Sequence, residues 1–249
     1  MKFEDKVAQL RIKKHKGRET DAFLQDVKRM ASGEPLEYIL GEVTFCGATI
    51  DLSMRPMIPR PETEFWVNQV ITELRNNEMR EKGMRVLDLF SGSGNVGLAL
   101  LVSFPKVYVD MIELDPKLKE QIEISVVKNT IEKTRVRVIT GDTWDGAEGV
   151  YDCVFAVPPY VPPKMKDEVM SELHAEDPLS FFDKEDGYYY HKQVISRAKE
   201  FLKDEGVLYL EFDITQRERI EELARLYEYK NYSFLKDPYG HEYVLAIKI

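Results

Sequence analysis

The stretch VFAVPPYVPP, Val154 to Pro163, sets an apolar strand-like run against two pairs of prolines with a tyrosine between them. Proline lacks a backbone donor and fixes φ, so such a run ends an element and holds a rigid tip. Upstream, VLDLFSGSGNVG closes an apolar strand on Asp88 and places Gly92, Gly94 and Gly97 in the turn that opens a helix. That spacing is G-x-G-x-x-G. Glycines there admit close approach of a ligand to the backbone, and the helix N-terminus offers amide donors. In MIELD, Glu113 stands at the tip of the next strand, about twenty residues on, where a carboxylate is suited to accept both hydroxyls of a ribose. A tight turn followed by a surface glutamate is the plain alternative. The strand before, the helix after and the acid at that distance favour a nucleotide-type cofactor.

Two cofactor classes fit, a nicotinamide dinucleotide and S-adenosylmethionine. Three features favour the second. Asp88 precedes the glycine loop, where it can meet the amino-acid end of the methionine. The third strand ends in TGD, so Asp142 can reach the adenine edge. The fourth strand ends in the proline tip and not in a second dinucleotide half. Hydride transfer also usually wants a proton-handling group, and no histidine stands near a strand tip in the sequence reading.

In an open α/β sheet, ligands bind at the carboxyl ends of the strands, where Pro158, Pro159 and Tyr160 fall. Amide nitrogens are poor nucleophiles because their lone pair is delocalised. A site that methylates one must align it with the methyl group and accept its N–H protons on fixed oxygens. A rigid proline loop can supply carbonyls, and an aromatic can pack over the planar amide. A proline-stiffened strand exit packed by a core tyrosine is the structural alternative.

The elements that would position these residues follow from periodicity. Residues 1–33 read as two helical runs split near Gly17. Their basic stretch RIKKHKGR reads as a solvated helix face in preference to a binding arm. Residues 34–60 read as a turn-rich connector, with a hairpin around Gly47 in EVTFCGATIDLS. PETE opens a helix running through FWVNQVITELRNN, with acids in its first turn. From there strands and helices alternate, and two β-prone runs split by PYG close the chain. The expected fold is α/β, a mostly parallel twisted sheet with helices on both faces and a terminal antiparallel hairpin. The expected division is 1–33 a short N-terminal helical segment, 34–60 a connector, and 61–249 the cofactor-binding domain.

The 249 residues carry a formal net charge of -9, with 43% hydrophobic and 32% charged residues, ordinary for a globular chain. The acidity argues against nucleic acid as the general partner. Cys46 and Cys153 suggest no disulfide framework or zinc site, and Cys153 reads as a buried thiol. No window approaches a membrane span, and the N-terminus lacks an apolar signal core, so a cytoplasmic location is expected.

From about Gly33 to the end, the chain resembles the HemK-type release-factor glutamine methyltransferases. The resemblance rests on GEPLEYILGEVTFCG, IPRPETE, LDLFSGSG, IELDP, GD, PPY, DPLSFFDKEDGYYYHKQVI and HEYVLAIKI. It implies a class I S-adenosylmethionine-dependent fold and methylation of the side-chain amide of glutamine in the Gly-Gly-Gln loop of a peptide-chain release factor, by a monomer without metal. Beside Asp88, it implies cofactor contacts from Phe90, Ser91, Gly92, Ser93, Gly94 and Glu113, and near Asp142 and Thr143, and a glutamine pocket lined by Pro158, Pro159 and Tyr160, with Val157 at its entry. Two departures stand out. Val157 occupies the place of the Asn in the family's Asn-Pro-Pro-Tyr, whose side chain holds the substrate amide. An N–H left without a partner costs about 1–3 kcal/mol, which on the transition state is about ten- to a hundredfold in rate. The N-terminal helical segment is also shorter than the family's. The alternatives are a silenced cofactor-binding relative and an adenine amino-methyltransferase acting on nucleic acid.

Overall fold

The protein is described from a computed structural model that covers residues 2–76, 83–167, 173 and 175–249. Two helices, α1 (Phe3–Lys13) and α2 (Asp21–Ala31), open the chain. Thr20 caps α2 by accepting the Phe23 amide at 3.2 Å. With a third, α3 (Leu36–Leu40), they enclose a small core of Leu10, Phe23, Met30, Leu36 and Ile39. The sequence reading placed only turns here. Five residues are too few to show a helical period. The basic run folds inward: Lys14 and His15 reach the buried Asp26 at 2.8 and 3.0 Å.

The expected hairpin pairs β1 (Glu42–Phe45) with β2 (Ala48–Asp51). Cys46 and Gly47 both have positive φ, 45° and 84°, which suits the twist of a two-residue turn. Helix α4 (Pro61–Asn76) follows; Asn77, to which the sequence reading extended it, lies outside the described residues. The alternating elements are β3 (Arg85–Leu89), α5 (Asn95–Ser103), β4 (Tyr108–Glu113), α6 (Pro116–Lys128), β5 (Val136–Thr140), β6 (Tyr151–Ala156), α7 (Tyr189–Phe201), β7 (Leu202–Glu211), α8 (Arg217–Leu226), β8 (Tyr232–Lys236) and β9 (Glu242–Lys248). Strand β7 starts earlier than its apolar run suggests. Leu202 pairs with Tyr151 ahead of an irregularity, and Glu205 turns the chain with φ 67°.

The seven-stranded sheet has the order β5-β4-β3-β6-β7-β9-β8, parallel from β5 to β7 and antiparallel in the last two pairings. One face is covered by a core containing Trp66, Phe104 and Phe155, the other by one containing Trp144, Ile195 and Phe212. The chain reverses its direction of travel across the sheet between β3 and β6, so a crevice is expected at their carboxyl ends.

Register decides what meets there. Leu89 pairs with Ile112 and with Ala156, and Ala156 pairs with Leu210. One residue further along, Glu113, Val157 and Glu211 therefore share one face of the carboxyl edge, whereas Phe90, past the end of β3 with φ 57°, packs against the core on the other face.

Candidate active site

At that edge lies a cavity of about 890 Å³, large enough for a cofactor and one substrate side chain. Asp88, Phe90, Ser91, Gly92, Ser93, Glu113, Asp142, Thr143, Val157, Pro158, Pro159 and Tyr160 all line it. Gly94 does not. It is the N-cap of α5, with φ 77°, and donates its amide to the Ser91 carbonyl at 2.6 Å, so it shapes the turn.

The glycine turn is built around two carboxylates. Asp88 is 1% exposed and accepts the Gly97 amide at 3.0 Å. Burial pushes its carboxyl up to about 7, against the Gly97 hydrogen bond and with the help of the Glu113 charge. Glu113, 8% exposed, accepts the Gly92 amide at 2.7 Å on one oxygen and the Asp115 amide at 2.8 Å on the other. Burial raises its pKa as well. Gly92 has φ 52° and Phe90 φ 57°, the left-handed conformations that turn successive amides the same way.

S-adenosylmethionine carries a sulfonium, an ammonium, a ribose diol and an adenine. The residues present fit it. Glu113 keeps lone pairs free for the diol, because each oxygen holds one amide only. The amides of Asn95 and Val96 at the start of α5 take no partner among the described residues. Asp142 accepts the Thr143 hydroxyl at 2.9 Å and Lys184 at 2.8 Å, and Phe90 meets Tyr190 edge to face at 5.1 Å. Lys184 precedes α7 and Tyr190 lies on it, both within the run DPLSFFDKEDGYYYHKQVI that carries the resemblance but to which the sequence reading assigns no site residue.

The opposite end of the cavity is the proline tip. Pro158 is buried, and Val157 is half-buried against the core beneath. The tip is clamped from outside: Val161 donates to the Phe181 carbonyl at 2.9 Å and accepts the Asp183 amide at 2.8 Å. Asp183, itself buried, gathers the amides of Glu185, Gly187 and Tyr189 at 2.8 to 3.3 Å. Gly187, with φ 92°, lies so close that a Cβ would come within 2.8 Å of the Tyr160 carbonyl oxygen. The third wall is residues 54–63. Tyr38 ties it down by donating to the Pro56 carbonyl at 2.7 Å, and Arg60 pairs with the buried Glu176 at 2.6 Å.

Sequence reasoning missed Glu211. It is 6% exposed, lines the cavity, and accepts Thr63 Oγ1 at 2.8 Å and Trp66 Nε1 at 2.6 Å. An acid at the end of a strand was the signal that singled out Glu113 and Asp142, and the run VLYLEFD carries the same signal.

Comparison with known proteins accords with this geometry. Residues 69–179 match the family described as Methyltransferase small domain. The chain is 28% identical over 232 residues to the release factor glutamine methyltransferase of Streptococcus pneumoniae, covering 92% of this chain and 80% of that one. It is 29% identical over 224 residues to that of Thermodesulfovibrio yellowstonii, covering 89% and 79%. A methyltransferase from Pyrococcus furiosus superposes with a TM-score of 0.59 at 17% identity, over 89% of this chain and 96% of that one. The methyltransferase SMU.776, solved with SAH, gives 0.57 at 13%, over 84% and 55%. The fold is that of a class I S-adenosylmethionine-dependent methyltransferase. Its strand order is the one in which the site has just been described. No described helix is long and apolar enough to cross a membrane, and no group of described residues has metal-ligand spacing.

Two outcomes follow from the site. Protonating Asp88 removes a negative charge beside the expected ammonium, so affinity for S-adenosylmethionine falls about tenfold between pH 8 and pH 6. Asp88→Asn abolishes this dependence in calorimetric titrations. Because the folded carboxyl sits near 7 against an ordinary 3.8, ionising it costs stability as pH rises through that window, and Asp88→Asn melts higher than the parent chain at pH 8. Gly187→Ala meets both a strained φ and the Tyr160 carbonyl. It lowers stability by about 1–3 kcal/mol in thermal unfolding and impairs methyl transfer more than cofactor binding.

Proposed function

We propose that this protein transfers a methyl group from S-adenosylmethionine to the side-chain amide nitrogen of the glutamine in the Gly-Gly-Gln loop of a peptide-chain release factor. The observation that carries the reading is one cavity holding the glycine turn with Glu113 at one end and the clamped Pro158–Pro159–Tyr160 tip at the other. The family resemblance over most of the chain supplies the substrate. Cofactor contacts come from Asp88, Phe90, Ser91, Gly92, Ser93, Glu113, Asp142 and Thr143, with Gly94 shaping the turn.

When bound, S-adenosylmethionine supplies an electrophilic methyl group. The chain's own work is to hold and align. Tyr160 packs on the planar amide, and its hydroxyl stays protonated because burial, then the Glu211 charge, raise its pKa. The proline tip fixes backbone carbonyls that no ladder hydrogen bond uses, so they can receive amide N–H groups at no cost in reorganisation. Excluding water there strengthens each of these bonds. Val157 supplies no polar group, so the chain relies on other oxygens for what an asparagine side chain does elsewhere in the family. The short N-terminal unit, with its own apolar core, is the docking element for the release factor under this reading.

The adenine amino-methyltransferase alternative uses a similar tip but needs a basic approach surface, and the chain is acidic. The test is incubation with a release factor and labelled cofactor, with mass read at the Gly-Gly-Gln peptide, for this chain beside Val157→Asn. The expected result is a mass gain of one methyl group on the glutamine with both, the variant faster by about ten- to a hundredfold if Val157 forfeits one amide hydrogen bond. Cofactor binding without transfer by either chain overturns the reading.

A further inference from the structure

We propose that Glu211 is a catalytic residue: its carboxylate accepts an N–H of the substrate amide beside Val157 and takes the proton that methylation releases. The proposal rests on the release-factor reading and deepens it.

Position comes first. Ala156 and Leu210 are register partners in neighbouring parallel strands, so Val157 and Glu211 are the next pair along. Adjacent parallel strands lie about 4.8 Å apart, and residues in register share a face. A carboxylate therefore stands one strand away from the valine, on the side of the sheet that the valine faces. Trp66 confirms the shared face, since it stacks on Phe155 and Tyr209, two pairs back and so on the same face, and donates its indole N–H to Glu211.

The hydrogen bonds leave the carboxylate half used. Thr63 and Trp66 both donate to Oε2. No hydrogen bond among the described residues reaches Oε1. A carboxylate serving only to anchor α4 needs no second oxygen facing a cavity. Glu211 lines the main cavity and also a second one of about 350 Å³. The second cavity holds the buried Tyr243 hydroxyl, which has no partner either.

The surroundings keep the carboxyl able to exchange a proton. Glu62 from α4 adds negative charge, Tyr160 and Tyr243 face it as neutral phenols, Asp213 follows on its own strand end, and Arg60 stands on the cavity wall. His191 from α7 contacts only its backbone carbonyl, at 3.0 Å, and burial holds the imidazole down at about 4, so it is neutral. Burial, partly offset by Trp66 and Thr63, raises the Glu211 carboxyl.

In the step, the amide nitrogen forms a bond to the methyl carbon as the carbon–sulfur bond breaks, and that bond's electron pair leaves on sulfur. The nitrogen's surplus proton passes to Glu211, which returns it to water. Atoms and charge balance without a further reactant.

The test compares the parent chain, Glu211→Gln, Val157→Asn and the double variant. Glutamine keeps a carbonyl for Thr63 and Trp66, so Glu211→Gln folds and binds S-adenosylmethionine as the parent does. Its methyl transfer to a Gly-Gly-Gln peptide falls at least about tenfold, the worth of one charge-assisted hydrogen bond. The parent rate rises with pH as the carboxyl ionises, and the rise is absent in the variant. Adding Val157→Asn restores part of the loss, because it supplies a carbonyl one strand away. A readout without turnover is calorimetric binding of Gly-Gly-Gln against Gly-Gly-Glu peptides in the presence of S-adenosylhomocysteine. The parent rejects the glutamate peptide by like charge, and Glu211→Gln loses that preference. Unchanged transfer and pH profile in Glu211→Gln, with the parent active, overturn the role of Glu211 and leave the release-factor reading standing. A parent chain that binds cofactor but neither binds nor methylates the peptide overturns both.

Discussion

Parallel strands exchange evenly spaced, slanted hydrogen bonds, and their side chains alternate strictly between faces. The site depends on that constraint. Glu113, Val157 and Glu211 come from the ends of three strands separated by long crossovers, yet they stand on one face of the carboxyl edge because Ile112, Ala156 and Leu210 are held in register through Leu89. A slip of one residue in any of these strands would turn its member of the set to the other face. The cores on both faces, with Trp66 stacked on Phe155 and Tyr209 on one side and Trp144 stacked on Phe201 on the other, hold the register.

The cavity that results is rich in carboxylates held at a cost. Burial raises Asp88, Glu113 and Glu211 alike, and the two or three hydrogen-bond donors each accepts offset it only in part. Asp142 differs in having a cation, Lys184, on one oxygen. A ligand that brings positive charge and hydroxyl donors repairs the deficit, which is why this arrangement suits a sulfonium cofactor better than an anionic dinucleotide.

Rigidity at the other end comes from outside the sheet. The proline tip cannot hydrogen-bond to a neighbouring strand through its own nitrogens, so the 177–187 segment clamps it through Val161, and Asp183 closes that segment on its own amides. Gln216 completes the assembly by donating to the Gly187 carbonyl at 2.8 Å. Loop against loop, each stiffened by proline or by a buried carboxylate, replaces what a ladder would have done.

The local features were legible in the chain. Apolar runs of strand length, the glycine spacing, the prolines and the acids at strand ends marked the alternating fold, the glycine turn and the proline tip that line the cavity, because each is a property of a few consecutive residues. Helix α3 and the early start of β7 were not, the first being shorter than a helical period can reveal and the second depending on the pairing of Leu202 with Tyr151. Nor was the role of Gly94 as a cap and not a wall. Glu211 and Tyr190 join the cavity, and Lys184 reaches Asp142 at its wall, only through tertiary packing. Sequence by itself determined which groups the chain has to work with, the apolar Val157 among them. Tertiary structure alone decided that a buried carboxylate stands beside that valine, because the register between β6 and β7, neighbours in the sheet but separated in the chain by α7, is set by the packing of the whole sheet and leaves no mark in either segment.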